Sequence, residues 1–356
     1  MKKLDMLRGV MTENELDGVL IYNECNIRYI TDFAFSDGFV FVTLNSAHIF
    51  TDFRYYEMAL SAVEADFCVY RDSGRNEIVR RIISDEKIKR IGIESDFISH
   101  SAYLSLLKSY SGVEFVGIDE AFVNLRLVKS DDEARLMEEA QKITDAAYAE
   151  VIKNLKPDMT EIEVAAEIEY SMRRLGADGP AFDTIAVSGP SSALPHGTPG
   201  NIKLRPGFLT MDFGAKYKGY CADMTRTVVI GRADPQMKHL YNTVLKAQRA
   251  ALDNLKAGVD LAVADSYARD IIDSYDEYKG TFGHSLGHGV GLEVHESPSL
   301  GPRGQGRVLL CGEVVTVEPG IYIFSKYGCR IEDMVRICND GVYNFTHSPK
   351  DLIEIL

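Results

Sequence analysis

Two aspartates stand eleven positions apart in the segment Leu209-Thr-Met-Asp212-Phe-Gly-Ala-Lys-Tyr-Lys-Gly-Tyr-Cys-Ala-Asp223-Met-Thr-Arg-Thr-Val-Val-Ile230. Their neighbours are apolar, aromatic and β-branched residues, a composition typical of β-strands. An ionised carboxylate is costly in such surroundings unless a positive charge lies against it. The segment therefore predicts two strands that carry acids, and a metal ion is the expected source of the positive charge.

The geometry of this segment can be predicted further. A tight turn centred on Tyr217-Lys218, with Gly219 just after it, would fold the segment into an antiparallel hairpin. Asp212 and Asp223 would then face each other with Cβ atoms about 5 Å apart, which is repulsive unless cations lie between them. Two divalent ions about 3.5–4 Å apart would fit such a pair. A solvated hairpin whose acids face water explains these two residues equally well, so other residues must distinguish the alternatives.

Length and composition narrow the class of protein. The chain has 356 residues, of which 46% are hydrophobic and 26% charged, values typical of a soluble globular protein with two domains. A formal net charge of −14 argues against nucleic acid or an anionic membrane as a partner. No apolar run approaches the length that spans a membrane. The six cysteines form no Cys-x-x-Cys pair, so we expect reduced thiols in a cytoplasmic protein.

The order of predicted elements indicates an α/β (α+β) fold in two domains, 1–125 and 126–356. The first alternates helical and strand-like segments and contains no convincing catalytic cluster. The second begins with a capping box, Ser130-Asp-Asp-Glu133, and a second box follows at Thr160-Glu-Ile-Glu163. Asp234-Pro235 then has the form of a helix start. Two helices followed by strands, twice over, predict an internal duplication that covers about 130–230 and 235–340.

The second half of the predicted duplication supplies further metal-ligand types. Three histidines lie in Gly283-His284-Ser-Leu-Gly-His288-Gly-Val-Gly-Leu-Glu-Val-His295-Glu296, where the glycines exclude a helical His-Glu-x-x-His site. Glu318 and Glu332 are acids inside apolar runs that predict two strands joined by a short turn. Four carboxylates and an imidazole suit two Mn²⁺, Co²⁺, Fe²⁺ or Zn²⁺ ions. This set favours a dinuclear site over a wet hairpin.

A dinuclear site of this composition indicates hydrolysis. Two ions can hold a bridging water or hydroxide whose pKa is lowered, so that it is nucleophilic near neutral pH. The remaining histidines, His196, His284 and His295, would donate to a developing oxyanion or to the leaving group.

These residues resemble the signature of the pita-bread metallopeptidases, the family of methionine aminopeptidase, aminopeptidase P and prolidase. The resemblance covers nearly the whole chain, and the family's five metal ligands have counterparts in order and in local context. It implies that Asp212 binds one ion, that His288 and Glu318 bind the other, and that Asp223 and Glu332 bridge both. Glu318 would also accept and carry the proton of the attacking water.

The resemblance implies roles for five more residues. His295 matches the histidine that contacts the carbonyl of the scissile bond. His196 and His284 match histidines that line the pocket for the residue after that bond, and Arg330 and Tyr322 match positions used for substrate contact and proton relay. The one departure is Cys329, where a small or apolar residue is more usual, and it suggests sensitivity to thiol reagents.

The N-terminal α/β domain resembles the creatinase-type domain of aminopeptidase P and prolidase, which simple methionine aminopeptidases lack. The stretches Asn26-Ile-Arg-Tyr-Ile-Thr-Asp32, Arg126-Leu-Val-Lys-Ser130 and Phe182-Asp-Thr-Ile-Ala-Val-Ser-Gly189 are also similar to those of Xaa-Pro members. The resemblance thus implies hydrolysis of the bond before proline in peptides or dipeptides, with manganese or cobalt as activating ion and a homodimer as the assembly. A metal-free creatinase-like hydrolase and a non-catalytic binding module are the alternatives on the same fold.

Overall fold

The computed structural model describes residues 2–71 and 73–356 of the chain, which fall into two units, Met1–Arg126 and Leu127–Leu356. Each unit has its own sheets and its own buried core. All six cysteines are free thiols. Within the described ranges, no helix combines the length and the hydropathy that crossing a bilayer requires.

The first unit is a mixed β-sheet with helices between its strands. The elements, in chain order, are α1 (Lys3–Glu13), β1 (Gly18–Ile21), α2 (Glu24–Thr31), β2 (Gly38–Thr43), β3 (Ala47–Thr51), α3 (Phe53–Ala62), β4 (Phe67–Arg71), α4 (Arg75–Asp85), β5 (Arg90–Ile93), α5 (His100–Ser109), β6 (Glu114–Gly117) and α6 (Asp119–Leu127). The strand order is β4-β3-β2-β1-β5-β6. Central β1 runs antiparallel to β2 and parallel to β5, which confirms the predicted α/β character.

The second unit contains two helix pairs, each followed by strands. Its elements are α7 (Asp131–Asn154), α8 (Glu161–Arg174), β7 (Gly179–Pro180), β8 (Ile185–Ser188), β9 (Gly207–Phe213), β10 (Ala215–Tyr217), β11 (Tyr220–Cys221), β12 (Met224–Ile230), α9 (Pro235–Asn254), α10 (Leu261–Asp273), β13 (Gly287–Gly289), β14 (Glu296–Leu300), β15 (Val314–Val317), β16 (Gly320–Ile323), β17 (Tyr327–Arg330), β18 (Asp333–Ile337), β19 (Val342–Asn344) and β20 (Glu354–Ile355). Short 3₁₀ helices span Gly189–Ala193 and Pro302–Gly304.

The predicted helix starts of the second unit are confirmed by their caps. The Ser130 hydroxyl accepts a hydrogen bond from the Glu133 backbone N–H, and the Glu133 carboxylate accepts one from the Ser130 N–H. Thr160 and Glu163 form the same reciprocal pair at α8. The Asp234 carboxylate accepts the Met237 N–H at α9. Such caps satisfy backbone donors that the first helical turn leaves unpaired.

The internal duplication is visible in the sheets. In the first half, α7 and α8 share a core with the sheet ordered β20-β12-β9-β8. In the second half, α9 and α10 share a core with the sheet ordered β14-β13-β15-β18-β19. Both halves therefore bury one face of a largely antiparallel sheet under a helix pair, as the order of elements in the sequence predicts.

The predicted register of the aspartate hairpin is wrong by one position in the turn. Tyr217 pairs with Tyr220, so the turn is centred on Lys218-Gly219. Both central residues have positive φ, 45° and 84°, and a glycine adopts that conformation without steric cost. Asp212 therefore faces Thr225 instead of Asp223. A turn with Gly219 at a central position has less steric strain than the predicted turn, in which Gly219 follows the two central residues.

The second pair of predicted strands is also divided more finely than expected. Each run is interrupted at its acid: Glu318 lies between β15 and β16, and Glu332 lies between β17 and β18. Val317 pairs with Asp333 and Gly320 pairs with Arg330. The two glutamates therefore occupy opposite positions at the break between a five-stranded sheet and a separate two-stranded hairpin.

Candidate metal centre

The first-half sheet presents two carboxylates to one cavity. Asp212 lies in β9, between Ile185 of β8 and Thr225 of β12. Asp223 lies in the gap between β11 and β12, two residues before Thr225, so it is a diagonal neighbour of Asp212. Although the predicted facing pair does not form, both acids line the same cavity.

His288 is held in β13 by close backbone packing. A Cβ atom at Gly287 would lie 2.0 Å from the Thr316 carbonyl oxygen, so only glycine allows β13 to approach so closely. The His288 N–H donates to Thr316 Oγ1 at 3.0 Å. Its Nδ1 lies 3.1 Å from the Gly289 carbonyl oxygen, which can only accept a hydrogen bond. The neutral ring therefore carries its proton on Nδ1 and has a free lone pair on Nε2.

The free Nε2 of His288 points at carboxylates from both halves. It lies 3.3 Å from Glu318 Oε1 and 3.6 Å from Asp223 Oδ2. Burial lowers the pKa of His288, which favours the neutral ring that binds metals. One ligand atom each of Asp223, His288 and Glu332 lies within 4.8 Å of the others. The second half of the duplication thus supplies an imidazole and two carboxylates beside the two carboxylates of the first half, as the sequence predicts.

Hydroxyl groups fix the two glutamates. Thr225 Oγ1 donates to Glu332 Oε2 at 2.6 Å, and the Glu332 N–H donates to the Thr225 carbonyl oxygen at 3.1 Å. Thr316 Oγ1 donates to Glu318 Oε1 at 3.1 Å. Each hydroxyl occupies one carboxylate oxygen and holds the orientation of the other.

The carboxylate cluster has an excess of negative charge. Burial raises the pKa of Asp223 well above its ordinary value, and the charges of Glu332, Asp212 and Glu318 raise it further. Burial and the neighbouring charges of Glu318 and Asp212 act in the same direction on Glu332. Asp212 Oδ1 is buried and has no hydrogen-bond partner among the described residues. An orphaned buried oxygen beside repelling carboxylates and a free imidazole lone pair fits divalent cations in chemistry and in number of donors.

Arg330 connects the cluster to a second group of polar side chains. This residue is 3% exposed, and its Nη2 donates to Asp212 Oδ2 at 2.7 Å. Its Nη1 donates to the Tyr322 hydroxyl oxygen at 2.8 Å, and that hydroxyl lies 2.9 Å from His284 Nε2. The predicted substrate-binding residues Arg330, Tyr322 and His284 are therefore brought into one hydrogen-bonded group.

His284 differs from the prediction in what it can donate. Its Nδ1 lies 2.9 Å from the Ser285 carbonyl oxygen and must donate to it. Burial lowers the pKa of His284, so the ring is neutral and its Nε2 accepts the Tyr322 hydroxyl proton. In this arrangement the Arg330 guanidinium, and not the imidazole, is the donor available to an anionic group.

The remaining predicted histidines also lie at the cavity. The ring centroids of His295 and His288 are 4.3 Å apart, and burial lowers the pKa of His295. His196 lines the same cavity from the loop after the first 3₁₀ helix. The cavity has a volume of about 440 Å³, and nine of the ten predicted site residues line it. The tenth, Tyr322, is hydrogen-bonded to Arg330 and His284, which do line the cavity.

Sequence reasoning missed part of the lining. Phe182, Asp183, Ile185 and Val294 also face the cavity. The resemblance of the stretch that begins at Phe182 to Xaa-Pro members assigns none of its residues to the site. The place of this stretch in the site depends on the pairing of β8 with β9, because Ile185 faces Asp212 and residues two apart on a strand share a face.

Comparisons with known proteins agree with this geometry. The family model for metallopeptidase family M24 matches residues 135–339, and the model for the Creatinase/Prolidase N-terminal domain matches residues 3–128. This chain belongs to metallopeptidase family M24 and has the N-terminal domain of its creatinase and prolidase members. The fold is that of this family, a creatinase-type N-terminal domain followed by a pita-bread domain.

Particular relatives are similar over nearly their whole length. A Xaa-Pro dipeptidase of Pyrococcus horikoshii is 38% identical, with 99% of each chain covered. The structure of a Xaa-Pro dipeptidase from Bacillus anthracis superposes with a TM-score of 0.94 at 39% identity, with 99% of each chain covered. That of an X-Pro aminopeptidase from Thermotoga maritima has a TM-score of 0.90 at 37% identity, covering 96% of this chain and 98% of the other.

Proposed function

We propose that this protein is a metal-dependent peptidase that hydrolyses the bond before proline, with Xaa-Pro dipeptides as its substrates. The observation that carries the proposal is the cluster of Asp212, Asp223, His288, Glu318 and Glu332, of which Asp223 and Glu332 are buried. Its unneutralised charge and the orphaned Asp212 Oδ1 fit divalent cations. The relatives from Pyrococcus horikoshii and Bacillus anthracis, named Xaa-Pro dipeptidases, support the choice of substrate.

Two divalent ions are proposed to bind these five residues, Mn²⁺ first and Co²⁺, Fe²⁺ or Zn²⁺ as alternatives. Asp212 would hold one ion, His288 and Glu318 the other, and Asp223 and Glu332 would bridge them. The short distances from His288 Nε2 to Asp223 and Glu318 support this assignment. Bound ions supply Lewis acidity, which activates a water molecule and polarises the scissile carbonyl group.

The side chains around the cluster are proposed to move protons and bind substrate. Glu318 accepts a proton from the attacking water and delivers it to the proline nitrogen as the C–N bond breaks. His295 and His196 donate hydrogen bonds to the scissile carbonyl oxygen and to the proline side of the substrate. Arg330, held by Tyr322 and Asp212, binds the carboxylate of the terminal proline. Water is consumed, and the free first amino acid and proline are released.

The assay that tests this function uses metal-loaded protein and matched substrates. Hydrolysis of Met-Pro, with Met-Ala cleaved far more slowly, is the expected result. Met-Pro-Ala distinguishes a dipeptidase from an aminopeptidase, an activity named for the Thermotoga maritima relative. Absence of hydrolysis of both Met-Pro and Met-Pro-Ala at saturating Mn²⁺ and Co²⁺ would refute the proposal.

Three further proposals concern the whole chain. We assign 1–125 to a creatinase-like N-terminal domain and 126–356 to the catalytic domain, supported by the ranges of the two family models. A homodimer is supported by apolar side chains that α3 exposes, Phe53, Met58 and Leu60, at 77%, 57% and 54%. A cytoplasmic location is supported by the free thiols. Light scattering of wild-type protein and of a Phe53→Ser, Met58→Ser variant tests the dimer, which the variant should weaken.

A further inference from the structure

Asp183 is a carboxylate in the cavity that the proposed chemistry does not use. It lines the same cavity as the metal-centre acids, and it is solvent-exposed. Within the described ranges it forms neither an ion pair nor a side-chain hydrogen bond. Its charge is therefore available to a ligand in the cavity.

The strand register places Asp183 relative to Asp212. Ile185 of β8 faces Asp212 of β9, and Asp183 precedes Ile185 by two residues. Residues two apart in an extended chain share a face and are separated by about 6.6 Å. Thr184 between them is 5% exposed and points away from the cavity lining. Asp183 thus lies to one side of Asp212, towards the start of β8.

Arg330 lies to the other side of Asp212. Its backbone N–H donates to Thr227 Oγ1 at 3.3 Å. Thr227 faces Thr210, and Thr210 faces Val187, so the Arg330 backbone is at the level of Val187 in the sheet. Its side chain extends from there to Asp212, to which Nη2 donates at 2.7 Å. Val187 and Asp183 are on opposite sides of Ile185, the residue that faces Asp212. Along the strands, the order of charged groups is therefore Asp183 and then Asp212, with the Arg330 guanidinium beside Asp212 on the side away from Asp183.

This order of charges matches one class of Xaa-Pro substrate. The proline carboxylate would lie against Arg330, with the scissile bond at the metal centre and the first residue on the Asp183 side. The substrate's α-ammonium is only two bonds from the scissile carbonyl carbon, so it stays near the centre. A lysine or arginine side chain reaches about 6 Å from its Cα, which spans the step to Asp183. The side chains of Phe182 and Ile185 offer apolar surface to its aliphatic stem.

We propose that Asp183 is a specificity-determining residue that selects substrates whose first residue has a basic side chain. The inference rests on the proposed Xaa-Pro peptidase function and names the substrate class of that same site. An ion pair that remains partly solvated contributes modestly, so the preference is a matter of degree and weakens at high salt.

Steady-state kinetics of the Mn²⁺-loaded protein on Lys-Pro, Arg-Pro and Met-Pro test the inference. Asp183→Asn should lower kcat/KM for Lys-Pro and Arg-Pro about fivefold, mainly through KM, while the value for Met-Pro changes by less than about twofold. Asp183→Lys should instead improve the hydrolysis of Glu-Pro. Asp253→Asn is the matched control, because it removes the same charge from an exposed position of α9 outside the cavity lining.

The outcomes separate the inference from the function on which it rests. An equal loss for all three dipeptides in Asp183→Asn, or no loss for any, overturns the role in selecting a basic side chain. An equal change in Asp253→Asn attributes the effect to net charge and also overturns it. A wild-type protein that hydrolyses no Xaa-Pro peptide refutes the peptidase function itself, and with it the inference.

Discussion

Asp223 and Glu332 are buried at 4% and 2% exposure beside two further carboxylates, so the metal-free protein bears the repulsion of a concentrated negative charge. Divalent cations would convert that repulsion into attraction and thereby stabilise the folded chain by mass action. These two side chains are then the places where metal binding and folding stability are most closely linked.

Asp223→Asn should change the thermal stability of the metal-free and the metal-loaded protein in opposite directions. Without metal, removal of one clustered charge is expected to raise Tm by about 2 °C. With excess Mn²⁺, the wild type should melt at a higher temperature than its metal-free form, and the variant should lose most of that increment. Differential scanning fluorimetry with and without Mn²⁺ measures both effects. A variant that keeps the full increment would contradict the bridging role.

Cys329 precedes Arg330 but is not a reactive thiol. It is 0% exposed, and burial raises its pKa to about 12, so it remains protonated at pH 8. The thiol sensitivity that the sequence suggested is therefore not expected at this residue. Ellman's reagent at pH 8 should modify the exposed Cys68 and Cys311 first and leave activity intact. Fast labelling in a Cys68→Ser, Cys311→Ser variant, with loss of activity, would show that Cys329 is accessible.

That the five proposed metal ligands lie together could be predicted, because residue type and local context indicate candidate metal ligands. Five hard or borderline donors stand among apolar or glycine-rich neighbours, and both features can be recognised in the sequence alone: Asp212, Asp223, His288, Glu318 and Glu332. Asp183 was not predicted, because a lone acid near a strand start has no such signal. Its relation to Asp212 depends on the pairing of β8 with β9.

The strand β13 positions His288 through its two glycines. A Cβ at Gly287 would lie 2.0 Å from the Thr316 carbonyl oxygen, and one at Gly289 would lie 2.1 Å from the Ser297 carbonyl oxygen. The displacement of backbone atoms costs free energy, and a side chain at Gly287 or Gly289 would have to move β13 away from β15 or β14. The strand therefore specifies both the fold of the second sheet and the position of the imidazole that is proposed to bind a metal ion.

Gly287→Ala should weaken metal binding and stability together. Displacement of β13 moves His288, and overpacking of this kind costs about 1–3 kcal/mol. Calorimetric titration with Mn²⁺ and thermal unfolding give the two readouts. Gly283→Ala is the control in the same segment, since a Cβ there meets no atom within 4 Å. Wild-type metal affinity in Gly287→Ala would show that β13 tolerates the shift.

The segment that carries His295 is anchored by a buried ion pair. Lys129 Nζ lies 3.1 Å from Glu296 Oε2, with side chains 2% and 7% exposed. Glu296 Oε1 also accepts the Glu293 N–H at 3.1 Å, which closes the turn before His295. The carboxylate of Glu296 thus holds the turn and the start of β14 in place.

Glu296→Gln should impair turnover more than metal binding. The amide keeps an acceptor for the Glu293 N–H but loses the charge that pairs with Lys129, so His295 is held less firmly. A misplaced catalytic group lowers kcat by about ten- to a hundredfold. Kinetics on Met-Pro and metal content of the same preparation measure this. Unchanged kcat with normal metal content would exclude a positioning role.

The turn and the strand breaks show where element prediction failed. Amino-acid composition predicts the two strands of the aspartate hairpin correctly. The register of the strands depends on whether Gly219 lies within the turn or directly after it, which is a difference of one position. The break at Glu318 has a local signal in Pro319-Gly320, a dipeptide typical of turns, which the strand prediction did not use. The break at Glu332 has none, because β17 and β18 on either side of it consist of strand-like residues. Tertiary contacts such as the bond from the Glu332 N–H to the Thr225 carbonyl oxygen end those strands.

In the whole molecule, the predicted duplication explains why the five proposed metal ligands are so far apart in sequence. In the first half, Asp212 lies in β9 and Asp223 directly precedes β12. In the second half, His288 lies in β13, and Glu318 and Glu332 lie at breaks between strands. Helix caps at Ser130, Thr160 and Asp234 made the repeating plan of helices visible in the sequence. How the two sheets meet was not visible, because it depends on packing between residues about 100 positions apart.

The central claim is that the five ligand residues hold two divalent ions on which activity depends. The most direct measurement is metal content per chain, by inductively coupled plasma mass spectrometry, together with Met-Pro hydrolysis before and after chelation, for wild type and Asp223→Ala. The wild type should hold two ions per chain, lose activity on chelation and regain it with Mn²⁺, and Asp223→Ala should lack both metal and activity. Full activity in chelated wild type or in Asp223→Ala would contradict the proposed metal centre.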